Sequence, residues 1–156
     1  MNDINYFSDN SDVKDKTVLL RLDLNVPLKD KIIQDDTRIY LSIPFIKKLI
    51  EKKAKIIILS HLGRPGGKKV PELSMLPIYK YLKKNLDTNV YFFVGELNSD
   101  IKEKFSYQKE GEVILFENIR FFQEETDNDD LFSKKLASLC DIYINDAFSC
   151  SHREQA

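Results

Sequence analysis

Five arginines and two histidines, and the places where they fall, hold the chemistry that this sequence can do. The chain has 24 basic residues, of which 19 are Lys and only five are Arg: Arg21, Arg38, Arg64, Arg120 and Arg153. Lysine supplies the generic positive charge here, so the arginines are expected where a planar, bidentate fork is wanted. Four of the five Arg and both histidines, His61 and His152, follow expected strands or stand at a helix start, rather than on helix faces. Donors segregated in this way suit an anion, a phosphate or a carboxylate. They are densest in Ser60-His61-Leu62-Gly63-Arg64-Pro65-Gly66-Gly67-Lys68-Lys69. That loop leaves the apolar run Lys55 to Leu59, which reads as a buried parallel strand. Its glycines and proline permit a sharp turn. A loop at the carboxyl end of a parallel strand is where open α/β sheets bind ligands.

The elements that must position these residues follow from the pattern. Thr17 to Leu22 reads as a first strand, ending at Asp23-Leu24-Asn25-Val26-Pro27, where Pro27 cannot continue a ladder. Leu28 to Gln34 reads as a small hairpin. A helix is expected from Asp35-Asp36-Thr37-Arg38, with Asp36 or Thr37 as N-cap, through Ile39, Ile43, Ile46, Leu49 and Ile50 to Lys53. Ser74-Met75-Leu76-Pro77 opens a second helix, with Ser74 as its cap, running to about Leu86. Val90 to Val94, Glu112 to Phe116 and Asp141 to Ile144 read as further strands, and Asn98 to Phe105 as a short helix. Gln123 to Asp130 reads as a flexible acidic surface loop. Asp129 or Asp130 would then cap a helix carrying Leu131, Leu136 and Leu139. Strands alternating with helices at this spacing predict an α/β fold of βαβ units, with a parallel sheet and right-handed crossovers.

Composition narrows the function classes. A length of 156 residues fits one domain, and 42% hydrophobic residues suffice for a core. A net charge of −1 gives no global field favouring nucleic acid or an anionic membrane. No stretch has the apolar length of a transmembrane span or a signal peptide. Two cysteines, Cys140 and Cys150, make no disulfide framework. A cytoplasmic protein with reduced thiols is therefore expected.

In a parallel sheet the carboxyl ends share one edge. The expected loops bring there Asp23 and Asn25, then His61 and Arg64, then Asn118 and Arg120, then His152 and Arg153, with Arg38 able to join. Such a set fits a small molecule carrying a phosphate and a carboxylate. Asp23, one carboxylate among cations, would accept a substrate hydroxyl or orient an Arg. Arg21, inside a strand, is expected to be structural. Local pairing is the alternative for Arg38 (with Asp35 or Asp36) and for Arg120 (with Glu117 or Glu124). His152 is expected to be structural, and Cys150 beside it lacks the third orienting group of a nucleophilic site. Asp146 is expected to fix a loop backbone. Gly63 to Lys69 lacks the Ser/Thr that follows the lysine of a phosphate-cradling loop, so it is not read as a nucleotide site.

Five motifs run through the chain in order: Leu22-Asp23-Leu24-Asn25-Val26-Pro27-Leu28; Asp36-Thr37-Arg38-Ile39; Ser60-His61-Leu62-Gly63-Arg64-Pro65; Glu117-Asn118-Ile119-Arg120-Phe121; and Asn145-Asp146-Ala147-Phe148 followed by His152-Arg153. Together they resemble the amino-terminal half of phosphoglycerate kinase, its 3-phosphoglycerate-binding domain. The resemblance implies a three-layer, Rossmann-like parallel sheet with helices on both faces, incomplete at the C-terminal end. Residues 1–156 would then be a partial substrate-binding domain, with the nucleotide-binding domain absent. It implies that Asp23 and Asn25 hold the glycerate end of the substrate. Arg38 would steady the transferring phosphoryl group, as the catalytic residue, and His61, Arg64, Arg120 and Arg153 would grip the 3-phosphate. The reaction would be reversible phosphoryl transfer between ATP and 3-phosphoglycerate, giving 1,3-bisphosphoglycerate and ADP in glycolysis and its reversal. Mg-ATP or Mg-ADP would sit on the missing domain, with neither cofactor nor metal held by this chain, and the complete enzyme would be a monomer. Ser149-Cys150-Ser151 and Glu154-Gln155 depart from the family pattern around Arg153. The chain alone is expected to be inactive. The competing expectations are a stand-alone module that binds phosphorylated metabolites without catalysis, and a non-catalytic remnant.

Overall fold

The structure is a computed structural model that describes residues 6–98 and 100–147. The expectations for Cys150, His152 and Arg153 lie outside the described residues. In chain order the elements are β1 (Thr17–Leu22), β2 (Leu28–Lys29), β3 (Ile32–Ile33), α1 (Thr37–Glu51), β4 (Lys55–Leu59), α2 (Leu76–Asn85), β5 (Val90–Phe93), α3 (Ile101–Phe105), β6 (Val113–Phe116), α4 (Gln123–Thr126), α5 (Asp130–Ala137) and β7 (Ile142–Asp146). Single 3-10 turns, Pro71–Leu73 and Ile119–Phe121, precede α2 and α4.

Five strands form one parallel sheet in the order β5-β6-β4-β1-β7, and β2 and β3 pair as the small antiparallel hairpin. Side chains alternate across the sheet with period two. Val18, Leu20, Leu22, Ile56, Ile58, Val113 and Leu115 pack with Ile39, Ile46 and Leu49 of α1 and Ile78 and Leu82 of α2. Leu19, Ile57, Leu59, Ile114 and Phe116 pack on the opposite face with Ile101 of α3 and Phe132 and Leu136 of α5. Both faces are therefore covered by helices, which is why β1, β4 and β6 read as continuous apolar runs. Each fully buried Leu or Ile contributes about 1.5–3 kcal/mol.

The order of strands creates the crevice. From β1 to β4 and on to β5 the chain moves one way across the sheet, with α1 and α2 on the first face. From β5 to β6 and on to β7 it moves back, with α3 and α5 on the second. Right-handed crossovers require the face to change when the direction changes. The loop after β4 therefore turns to one face and the loop after its neighbour β6 to the other. This is a topological switch point, where the carboxyl edge opens.

Several local expectations are corrected. Gln123 to Asp130 is not a plain surface loop: it contains α4, and Glu125 within it is fully buried. A run of acidic residues suggested a solvated stretch, but Glu125 turns inward to Arg21 of β1. Leu131 is 68% exposed, and Phe132 takes the buried position instead. Phe132, Leu136 and Leu139 follow i, i+4, i+7 spacing, and Leu131 falls off that stripe. The α5 cap is Asp129, whose carboxylate accepts from Phe132 N at 2.7 Å. At α1 neither Asp36 nor Thr37 caps with its side chain. Asp35 does the work from one residue earlier, accepting from Thr37 N at 2.9 Å and Thr37 Oγ1 at 2.6 Å. At α2 the N-cap position is Met75, and Ser74, expected as the cap, likewise acts from one residue earlier, its Oγ accepting from Leu76 N at 3.2 Å.

Candidate functional site

Three loops meet at the switch point, and hydrogen bonds lock them to one another. After β1, Leu24 N donates to the buried Ser60 Oγ at 3.0 Å, and Asn25 Oδ1 accepts from Gly63 N at 3.1 Å. After β6, Ile119 N donates to Ser60 O at 3.1 Å. Asn118, with no exposed surface, holds the centre. Its Nδ2 donates to Leu62 O at 2.7 Å and Leu73 O at 2.9 Å, and its Oδ1 accepts from Leu62 N at 3.3 Å and Arg120 N at 3.1 Å. Every donor and acceptor of this amide is thus used inside the protein. Asn118 was expected among the ligand-facing residues; the structure makes it the clamp that joins two loops.

Gly63 shows why the sequence turns where it does. Its φ is +60°, and a Cβ there would lie 2.8 Å from Leu73 Cδ2. Glycine takes the left-handed backbone without strain and lets Leu73 pack against it without shifting. Beyond it, Glu117 sets the start of α2: its carboxylate accepts from Ser74 Oγ and Met75 N, both at 2.7 Å.

The charged groups on this frame divide into two kinds. Arg38, at the start of α1, is exposed and pairs with Asp23 rather than with Asp35 or Asp36. Its Nη1 alone contacts both carboxylate oxygens, Oδ1 at 2.9 Å and Oδ2 at 2.8 Å. Its Nε and Nη2 make no hydrogen bond among the described residues, so the guanidinium keeps donors for a ligand. Asp23 therefore orients an Arg, one of its two expected roles. Asn25 has its side-chain oxygen fixed by the Gly63 N–H. Arg64 is exposed and forms no ion pair among the described residues.

The second kind is buried. His61 and Arg120 are only 4% and 6% exposed. Arg120 pairs with neither Glu117 nor Glu124: its Nε lies 3.7 Å from Glu125 Oε2, and its Nη1 donates to Gly63 O at 3.3 Å. Arg21, expected to be structural, is buried in β1 and donates through Nη2 to Glu125 Oε1 at 2.6 Å. Sequence reasoning missed Glu125, which lies 104 positions from Arg21. The one available signal was that two buried arginines demand a buried carboxylate. Asp146 was expected to fix a loop backbone; it is the last residue of β7, and Asn145 Oδ1 takes the Ala147 N–H instead, at 3.0 Å. Burial pushes the Asp146 carboxyl above the usual aspartate range.

The structure thus brings Asp23, Asn25, Arg38, His61, Arg64 and Arg120 to one carboxyl edge. It is an open crevice. A cavity of about 380 Å³ lies past Asn118, between Lys69, Val70, Leu76, Lys80, Val94 and Phe121, and is lined by none of Asp23, Asn25, Arg38, His61, Arg64 and Arg120. Among the described residues no three His, Cys, Asp or Glu gather as a metal site.

A family model described as phosphoglycerate kinase matches residues 8–156. The chain belongs to the phosphoglycerate kinase family. The phosphoglycerate kinase of Thermosipho africanus is 49% identical over 145 residues, covering 93% of this chain and 36% of that protein. That of Wolbachia pipientis is 46% identical over 148 residues, covering 95% and 37%. Among solved structures, phosphoglycerate kinase from Coxiella burnetii superposes with a TM-score of 0.80 at 39% identity, covering 94% of this chain and 36% of that one. The Pyrococcus horikoshii enzyme gives 0.78 at 33% identity, covering 94% and 38%. The chain thus spans little more than a third of the relatives it matches. Family membership and the Rossmann-like, three-layer parallel sheet stand together. No helix among the described residues is long and apolar enough to cross a membrane.

Proposed function

We propose that this chain supplies the 3-phosphoglycerate site of a glycolytic phosphoglycerate kinase, acting in the cytoplasm within a complete monomeric enzyme. The observation that carries this reading is the single hydrogen-bonded network running from Arg38 through Asp23 and Asn25 to Gly63 and Arg120. It links an exposed, carboxylate-held guanidinium, that of Arg38, to the buried guanidinium of Arg120. A small molecule with an acidic group at each end fits that pair of cations.

In this reading Arg64, Arg120 and Arg153, with His61, grip the 3-phosphate. Asn25 and Asp23 orient the glycerate. Arg38 is the catalytic residue, with donors aimed where charge develops on the transferring phosphoryl group. Phosphoryl transfer needs positioning and charge stabilisation more than a protein nucleophile, which agrees with a site built of donors. When bound to the complete enzyme, Mg-ATP would provide the phosphoryl group, with the magnesium ion offsetting the phosphate charge. The residues described here do not suit it, because Asp23, the carboxylate at the crevice, is engaged by Arg38. Magnesium and nucleotide belong to a part of the enzyme beyond these residues, and the chain by itself does not turn over.

The test is titration of 3-phosphoglycerate into the isotopically labelled chain, followed by NMR. Saturable shifts are expected at Asp23, Asn25, Arg38, Gly63 and Arg64, and Arg64→Ala should weaken binding on the order of tenfold. Absence of saturable binding, or indifference to Arg64→Ala, would overturn the reading in favour of a non-catalytic remnant. Kinase turnover by the chain alone would overturn the placement of the nucleotide.

A further inference from the structure

Three charged side chains, Arg120 and Glu125 from neighbouring turns and Arg21 from about a hundred residues earlier, meet beneath the crevice. Glu125 of α4 is fully buried, with Arg21 Nη2 hydrogen-bonded to its Oε1 at 2.6 Å and Arg120 Nε facing its Oε2 at 3.7 Å, a charge contact longer than a hydrogen bond. Arg21 sits in β1, hydrogen-bonded between two neighbours at the level of Leu59 in β4 and Asn145 in β7. Arg120 is tied onward to the loop after β4, through Gly63 O and by its own carbonyl, which accepts from Gly67 N at 3.2 Å. A continuous line therefore runs from the middle strands of the sheet, through one carboxylate, to an arginine at the ligand edge.

The geometry points to Glu125 as a positioning residue for Arg120 in anion recognition, with Arg21 as the anchor that holds Glu125 still. This rests on the reading of the crevice as a 3-phosphoglycerate site. An arginine side chain is long and gives up much rotamer freedom when it binds. A carboxylate that already faces the guanidinium narrows its range before binding and lowers that cost. The supporting carboxylate must itself be held, and a strand in the centre of a sheet is the stiffest place to hold it from.

Charge alone predicts the opposite sign. A carboxylate beside Arg120 subtracts from the positive potential that draws a phosphate. If Glu125 served only to neutralise buried arginines, its removal would raise anion affinity. If it positions Arg120, its removal lowers affinity in spite of the added positive field. Removing Arg21 together with Glu125 leaves the net charge unchanged, so a rise in Kd in that double variant reports lost positioning and not a changed field.

The experiment compares the unaltered 156-residue chain with Arg21→Met and with the double variant Arg21→Met/Glu125→Leu. The double variant removes both members of the buried pair, so neither is left as an uncompensated partner of the other. Glu125→Asp is the fallback if the double variant fails to fold, because it keeps the charge while drawing it back by one methylene. Two readouts are taken: the Arg120 Nε–H resonance in the ligand-free chain, and the Kd for 3-phosphoglycerate. The buried Arg120 Nε–H of the unaltered chain should exchange slowly. In the double variant that signal should move toward the position of a solvated arginine, exchange about tenfold faster, and Kd should rise about tenfold. Arg21→Met alone should give a rise of about threefold, since Glu125 still faces Arg120. In Glu125→Asp the resonance should move the same way by a smaller amount. An unmoved Arg120 resonance, or a Kd that is unchanged or lower, would overturn the proposal. If the unaltered chain binds no 3-phosphoglycerate, the functional reading fails, and the Arg120 resonance still decides the positioning role.

Discussion

Two arginine–carboxylate pairs flank the end of β1, and they differ in almost every physical respect. Arg21–Glu125 has side chains 8% and 0% exposed, while Arg38–Asp23 has side chains 52% and 16% exposed. The first joins a central strand to a helix 104 residues later; the second joins a strand end to a helix start 15 residues on. A buried pair gains strong attraction only by meeting a heavy desolvation cost, so it tolerates no loss of a single partner. A half-exposed pair is screened by water and can be exchanged for a ligand at small cost. The scaffold of this site is therefore ionic where it is dry, and the part that meets substrate is ionic where it is wet.

The sharpest way to break that contrast is Glu125→Leu alone. It leaves Arg21 buried without its carboxylate, and a loss of about 3–5 kcal/mol of stability is expected in urea denaturation. Asp23→Asn should cost less than about 1 kcal/mol by the same measurement. Comparable losses from the two substitutions would erase the distinction. Arg21→Met/Glu125→Leu sharpens it further. Removing both partners of a buried pair is often close to neutral, so the double variant should be more stable than Glu125→Leu.

Between these extremes lies Asn118→Ala. The amide makes four hydrogen bonds and no contact with water. Its removal strands buried backbone groups of Leu62 and Leu73, with a loss of about 2–3 kcal/mol expected. Because those bonds clamp the loop after β4 to the loop after β6, hydrogen exchange should quicken around Gly63 before it quickens in β4. Uniform acceleration through the sheet would show that Asn118 supports the core and not the crevice.

The contrast also explains what could be read from the sequence. β1 and β4 were legible to the residue, because a strand covered on both faces leaves a continuous apolar run whatever its partners are. Asp23, Asn25, His61, Arg64 and Arg120 were legible as one edge, because parallel topology alone sends every carboxyl end to the same side. Partner choice was not legible. Glu125 sits among acidic residues that all look alike, and only the fold brings it under Arg21. Arg38 had two aspartates immediately before it, yet it reaches back to Asp23, because Asp35 is occupied with the first turn of α1. Leu131 and Phe132 are adjacent and both apolar, and the helix phase that buries one and exposes the other is set by where Asp129 starts the turn.

Arg38→Ala tests the wet side of the comparison. Stability should fall by less than about 1 kcal/mol, as for any half-exposed pair. In a complete enzyme carrying this half, kcat should fall by about two to three orders of magnitude, with 3-phosphoglycerate affinity reduced only several-fold. That split is the mark of an interaction made mainly in the transition state. A loss in affinity equal to the loss in kcat/KM, with kcat unchanged, would return Arg38 to simple substrate binding.

The smallest effect concerns the start of α1, which carries Arg38. The Thr37 hydroxyl, and then its backbone N–H, bond to the Asp35 carboxylate and hold its pKa below the ordinary aspartate value. A carboxyl whose folded pKa is depressed binds protons more readily in the unfolded chain. Its contribution is therefore complete above the ordinary value of about 3.9 and is lost as pH falls through the lower, folded value. Asp35 is fully solvent-accessible, so the change should register locally and hardly at all in global stability. The Thr37 amide resonance, followed by NMR on lowering the pH from 5, should titrate with a midpoint below that of an unperturbed aspartate, and the Arg38 Nε–H should shift with it. In Asp35→Asn the low-pH step at Thr37 should vanish. A Thr37 midpoint at or above the ordinary value would mean that the cap does not hold the helix start. The exposed pair would then owe its geometry to Asp23 alone.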